Sequence, residues 1–240
     1  MLARIARIGA VCLALAASAA SALAFEGKVE MKMVSGHDKK EVPLVYYIKG
    51  THLRTEITPG GKQDKGGETF ASIINMDSRE VIVLMEKQKT YMVQKLPDPE
   101  KVEEATKNMK APEFKPTGRK ETIAGIEAEE YVGISERHQT EIWVTKELGQ
   151  VILANQSQSG GAMGHGKNAY SAWQKFAEQN QLFALRMIQR AKEGAPEDMR
   201  MEVVKIDKAS QPDSLFVPPA DYKKFEMPSM GDMMKGMLNR

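Results

Sequence analysis

The chain has 240 residues, 42% hydrophobic and 28% charged, with a formal net charge of +2 and one cysteine. So small an excess of positive charge gives no bulk electrostatic basis for binding nucleic acid or an anionic membrane. A lone cysteine excludes an internal disulfide and any multi-thiolate metal site.

The first 24 residues read as an export leader. Arg4 and Arg7 form a basic n-region, residues 8–20 an apolar h-region, and Ala22-Leu23-Ala24 an A-x-A cleavage site. The apolar run is shorter than the ~20 residues that a spanning helix needs. Cleavage is therefore expected after Ala24, with the mature chain starting at Phe25 in the periplasm and no transmembrane span remaining. Cys12 leaves with the leader, and Val11 before it does not suit a lipoprotein-type cleavage. The 34 basic side chains then fall by two, which matches the 32 acidic ones, and 240 residues less 24 leave 216. That length can bury a sizeable core in one domain, expected over residues 25–228, with 229–240 as a Met-rich tail or short helix.

Strand patterning begins at once. In "KVEMKMV" the residues Val29, Met31 and Met33 alternate with Lys28, Glu30 and Lys32, the period of a half-buried strand. "PLVYYIKG" is apolar on both faces in its middle, and "HLRTEIT" alternates again, so a hairpin near Gly50-Thr51 is expected. Residues 59–68, "PGGKQDKGGE", have too little apolar content to pack and read as a loop. "FASIINM", "EVIVLMEK" and "TYMVQKL" follow at spacings that suit antiparallel hairpins. Residues 100–109 carry acids first and lysines last, the polarity of a short surface helix. "RKETIAG", "EAEEYVGIS" and "TEIWVTKE" bring the strand count to nine, with a turn at Gly125-Ile126.

The pattern then changes. "QSQSGGAMGHGK" reads as a connector, and 169–188 as a helix whose broad apolar face carries Tyr170, Trp173, Phe176, Ala177, Ala184, Met187 and Ile188, with its stop at Gly194 and Pro196. "MRMEVVKID" is a last strand.

No catalytic constellation emerges. His37, His52, His138 and His165 are scattered, and no H-E-x-x-H, G-x-S-x-G, G-x-G-x-x-G or P-loop pattern occurs. The acids of 103–104 and 127–130 fall on surface patterns. The methionines are the unusual feature: Met230, Met233, Met234 and Met237 follow the i, i+3, i+4, i+7 spacing of an apolar helical stripe. The alternative is a thioether site for copper(I), but no histidine accompanies them.

Four segments carry a resemblance: "INMDSREVIVLMEKQKTYMV", "TGRKETIAGIEAEEYVG", "TEIWVTKELG" and "SLFVPPADYKKFEMP". They look like successive blocks of a family of secreted bacterial proteins, a domain of unknown function similar to the LolA/LolB/LppX-like lipoprotein carrier superfamily. The resemblance implies an α+β fold: a strongly curved antiparallel sheet, an incomplete β-barrel, with helices covering the concave face and an apolar cavity between. The long helix would be the lid. Pro218 and Pro219 would leave the ladder at a sheet edge, while Tyr222 and Phe225 close the barrel mouth. The insertion at 155–166 and the Met-rich tail depart from the carriers.

The chain is thus read as a non-enzymatic periplasmic binding module for a lipid, acyl chain or other hydrophobic ligand, with no cofactor. Its expected cavity residues are Tyr46, Ile48, Val83, Met85, Trp143, Trp173, Phe176, Phe183 and Met187. The alternatives are a copper or stress-response accessory protein using the tail, and an adaptor bound to an envelope protein partner.

Overall fold

The computed structural model describes residues 25–37, 39–58, 69–98, 100, 101, 104, 112–135, 138–149, 176, 177 and 179–226. The expected leader, the 59–68 loop, the 155–166 insertion, Tyr170, Trp173 and the Met-rich tail lie outside these residues, as does most of the expected surface helix, of which Glu100, Lys101 and Glu104 are helical.

Twelve strands among the described residues form one open sheet. They are β1 (Glu26–Ser35), β2 (Glu41–Lys49), β3 (His52–Ile57), β4 (Phe70–Asn75), β5 (Glu80–Met85), β6 (Thr90–Lys95), β7 (Phe114–Ile123), β8 (Ile126–Ile134), β9 (Gln139–Thr145), β10 (Phe183–Arg190), β11 (Glu197–Asp207) and β12 (Lys223–Lys224). The spatial order is β12-β6-β5-β4-β3-β2-β1-β11-β10-β9-β8-β7. Two antiparallel meanders, β1 to β6 and β7 to β10, are therefore joined by β11, which pairs with β1 on one side and β10 on the other. Only β12 runs parallel to its neighbour.

Short turns set the hairpins. Ala124 and Gly125 take φ of 49° and 82° between β7 and β8, the left-handed pair that a two-residue hairpin loop of matching twist requires. Irregularities interrupt the ladders at Glu30/Met31, Ala184/Arg186, Gln189/Arg190 and Pro116/Lys120. Each adds local bend and twist, which is how so wide a sheet curves.

Alternation sorts β1 to β6 cleanly into two faces. Val29, Leu44, Tyr46, Ile48, Leu53, Ile74 and Val81 point inward and belong to the main core cluster. Ala71, Ile73 and Leu84 point outward with Tyr47, Ile82 and Tyr91 and form a second cluster around Phe216. This explains why "PLVYYIKG" is apolar on both sides: Tyr46 faces in and Tyr47 faces out.

The outer cluster is sealed by the C-terminal segment. A 3₁₀ turn, Asp213–Phe216, inserts Phe216 among the outward side chains, and β12 then hydrogen-bonds to the β6 edge. Tyr222 packs on this outer cluster and Phe225 is exposed. The expectation that they close a barrel mouth is thus corrected: the segment covers the convex side.

The expected helical lid is corrected as well. Residues 183–190 form β10, and the described residues contain no α-helix that spans the concave face. A helical turn ends where Gln181 takes φ of 53° and the Leu182 amide donates to the Ala177 carbonyl at 3.0 Å. That is a 6→1 helix stop, here built on glutamine instead of the usual glycine. The following "FALRMIQR" satisfies a two-residue period as well as a helical one, and its pairing on both sides with β9 and β11 decides for strand.

Candidate ligand-binding face

Cross-strand register places side chains in rows on the inner face of the β1–β6 meander. One row runs Val29, Tyr46, Thr55, Ser72, Val83, Met92; its neighbours run Ile48, Leu53, Ile74, Val81, Gln94 and Met31, Leu44, Ile57, Phe70. Met85 and Thr90 complete the face by alternation. Among the described residues of these six strands, no charged side chain lies on that face; Lys28, Glu30, Arg54, Glu56, Glu80 and Lys95 all alternate to the other.

Burial grades along the face. Tyr46, Ile48, Trp143 and Phe183 are 3%, 2%, 7% and 1% exposed and sit in one cluster, which makes them core. Val83 and Met187 are half-buried against it. Toward the β6 side the face opens: Ile57, Met85 and Met92 are half-buried and Phe70 is 56% exposed. Large apolar groups that remain exposed together on one side of a sheet mark an interaction surface more often than isolated ones do.

The expected cavity residues therefore divide. Tyr46, Ile48, Val83, Trp143 and Phe183 share the main cluster, Met187 packs against both this cluster and the satellite one, and Met85 lies on the same inner face beside Val83. Phe176 packs elsewhere, its ring 5.6 Å from Phe114 and 5.2 Å from Tyr131, in a satellite cluster with Ile142 and Val144. Ile142 and Val144 alternate with Trp143 along β9, so Phe176 packs against the opposite side of that strand.

A polar seam flanks Trp143. Glu130 is fully buried, although 127–130 reads as a surface run. It accepts from the Thr117 hydroxyl at 2.6 Å and from Arg119 Nε at 2.5 Å, with Arg119 Nη2 on its second oxygen. Thr117 and Arg119 reach it because the chain bulges between Pro116 and Lys120. The Arg119 and Arg186 guanidinium carbons stand 5.8 Å and 5.7 Å from the Trp143 ring centroid, within the range of cation–π attraction.

Arg186 also works as a clasp. It donates to both Glu121 oxygens, at 2.7 Å and 2.9 Å, and to Glu202 at 2.9 Å. Glu121 is on β7 and Arg186 on β10, with β8 and β9 between them, strands that would lie about 14 Å apart in a flat sheet. The bridge is thus a direct mark of curvature. Arg200 and Arg190 extend the network to Glu197, Glu202 and Glu141.

The carboxylates of this seam make a pH prediction. Hydrogen bonds from Arg186 hold the Glu121 carboxyl below its ordinary range, and those from Arg200 do the same for Glu197. Burial alone would raise Glu202, but Arg186 and Arg200 together outweigh it and bring it down. A carboxyl depressed in the folded state stabilises above its unfolded pKa, and that stability is lost as pH falls. The thermal midpoint is therefore expected to drop below about pH 4.3, and Glu121→Gln should flatten that decline. A midpoint indifferent to acid would contradict it.

A model of a domain of unknown function, DUF4412, matches residues 25–222. The chain belongs to that family. No curated protein matches it in sequence. Among solved structures, PNGF-II in a C2 crystal form is similar at 13% identity and a TM-score of 0.43, over 89% of this chain and 32% of that one. PNGF-II in a P21 form gives 14% identity and 0.42, over 90% and 34%. This member of the DUF4412 family thus spans about a third of the PNGF-II chain. A LolA superfamily protein from Nitrosomonas europaea is similar at 13% identity and a TM-score of 0.32, over 80% of this chain and 89% of that one.

Among the described residues no group of three or more histidines, cysteines or carboxylates is placed to hold a metal ion. No described helix is long and apolar enough to cross a membrane.

Proposed function

We propose that this chain is an exported, non-enzymatic binding module that holds a lipid or acyl chain on the inner face of its curved sheet. The leader-like pattern of Arg4, Arg7 and Ala22-Leu23-Ala24 supports export to the periplasm. The observation that carries the ligand reading is the inner face of β1 to β6, uncharged among the described residues, whose apolar side chains grade from core at Tyr46 and Ile48 to exposed at Phe70. An apolar ligand laid along Ile57, Phe70, Val83, Met85 and Met92 gains about 25 cal/mol for each Å² it removes from water, without a charged anchor. Met85 and Met92 suit such a ligand because unbranched thioethers adjust to varied chains.

The test is to export the chain with its own leader, purify the protein without detergent, and extract it with solvent. A near-stoichiometric acyl lipid is expected. Protein that yields none, even after incubation with membrane extract, would overturn the reading.

A further inference from the structure

A pair of hydroxyls lies within the apolar face. Thr55 and Ser72 face each other across β3 and β4 with their oxygens 2.6 Å apart. Register surrounds them with Tyr46 and Val83 in their own row, Leu53 and Ile74 in the row on one side, and Ile57 and Phe70 in the row on the other. Both residues are half-buried, at the boundary between the core and the open part of the face.

Each hydroxyl carries one proton and two acceptor sites. Their mutual bond uses one proton, so the pair keeps a second O–H directed at a partner outside it. A ligand acceptor meeting that proton avoids the cost of burying an unpaired polar group among apolar ones. A neutral acceptor suits the site, because among the described residues of β1 to β6 no cation lies on this face, and Arg119 and Arg186 beside Trp143 are already paired with Glu130, Glu121 and Glu202.

Resting on the apolar-ligand reading above, we infer that Thr55 and Ser72 form a recognition site for the carbonyl oxygen of a neutral acyl ester or amide. The hydrocarbon part lies toward Ile57, Phe70 and Met85, and the hydroxyl pair fixes how far the chain enters. An alkane would bind the same apolar strip without this contact.

The experiment measures displacement of phenylnaphthylamine from the full mature protein by two probes of matched length, methyl undecanoate and dodecane. The quantity read is the ratio of ester to dodecane affinity, since dodecane has no polar group to desolvate. Thr55→Val/Ser72→Ala keeps the volume of the first site and removes both oxygens; it leaves the ester carbonyl unpaired and should lower that ratio roughly tenfold, the factor that one net hydrogen bond supplies, with dodecane affinity unchanged. Ser72→Ala alone, which adds no bulk, leaves Thr55 with one O–H for the ester and should keep most of the ratio. A ratio that the double substitution leaves unchanged overturns this inference and leaves the apolar-ligand reading standing. Binding of neither probe by the wild type overturns that reading and the inference with it.

Discussion

Phe183→Ala is expected to lower the unfolding free energy by about 3–5 kcal/mol, the cost of an aromatic cavity in a packed core. Phe183 is 1% exposed and joins the main cluster from β10, a strand with partners on both sides. As a residue of a helical lid over an open cavity it would cost much less, and its loss would register mainly in ligand affinity. Denaturant unfolding with and without bound lipid separates the two. A penalty below about 1 kcal/mol, outside the range of buried aromatic truncations, would contradict the placement of Phe183 in the core.

The second large effect concerns Glu130. Its carboxylate is buried, while the Arg119 side chain that neutralises it is 65% exposed. Arg119→Met leaves a buried charge with Thr117 as its remaining side-chain hydrogen-bond donor among the described residues. The expected loss is about 3 kcal/mol, in line with breaking buried ion pairs one partner at a time. Arg119→Met/Glu130→Met, which removes both charges, should recover most of that loss. Unfolding of the two single variants and the double one closes the cycle. Additive losses would show that the two groups do not act as a pair.

The strands from β1 to β9 were legible, apart from the first half of β7, where Pro116 and Gly118 in "FKPTG" read as a break although the strand runs from Phe114: alternation is regular and turns are short, so Val29, Met31 and Met33 announce β1, and Gly50-Thr51 announces the β2–β3 hairpin. β10 was not legible. "FALRMIQR" fits a helix and a strand equally, and Gln181 stops the preceding helical turn where a sequence reader expects glycine. The outward packing of Tyr222 was hidden too, since an apolar residue after two prolines does not say which side of a sheet it will cover.

Of the site, Tyr46, Ile48 and Val83 were legible as inward residues of apolar strands. Phe176 was placed with them on the strength of a helical period that ends before the face is reached. Glu130 could not be read as buried, because its partners come from a bulge that leaves little trace in the sequence beyond Thr117-Gly118-Arg119. The Thr55–Ser72 pair depends on register, which places two residues 17 apart in sequence at 2.6 Å. The Arg186–Glu121 clasp depends on curvature, which no local pattern encodes.

Photolabelling of the protein with a diazirine-bearing acyl methyl ester, followed by peptide mapping of the labelled residues, locates an acyl ligand on one face of the sheet or the other. Labels are expected on Ile57, Phe70, Val83, Met85 and Met92, competed away by unlabelled ester. Labels confined to the outer cluster, at Tyr47, Ile82 or Tyr222, would contradict this placement.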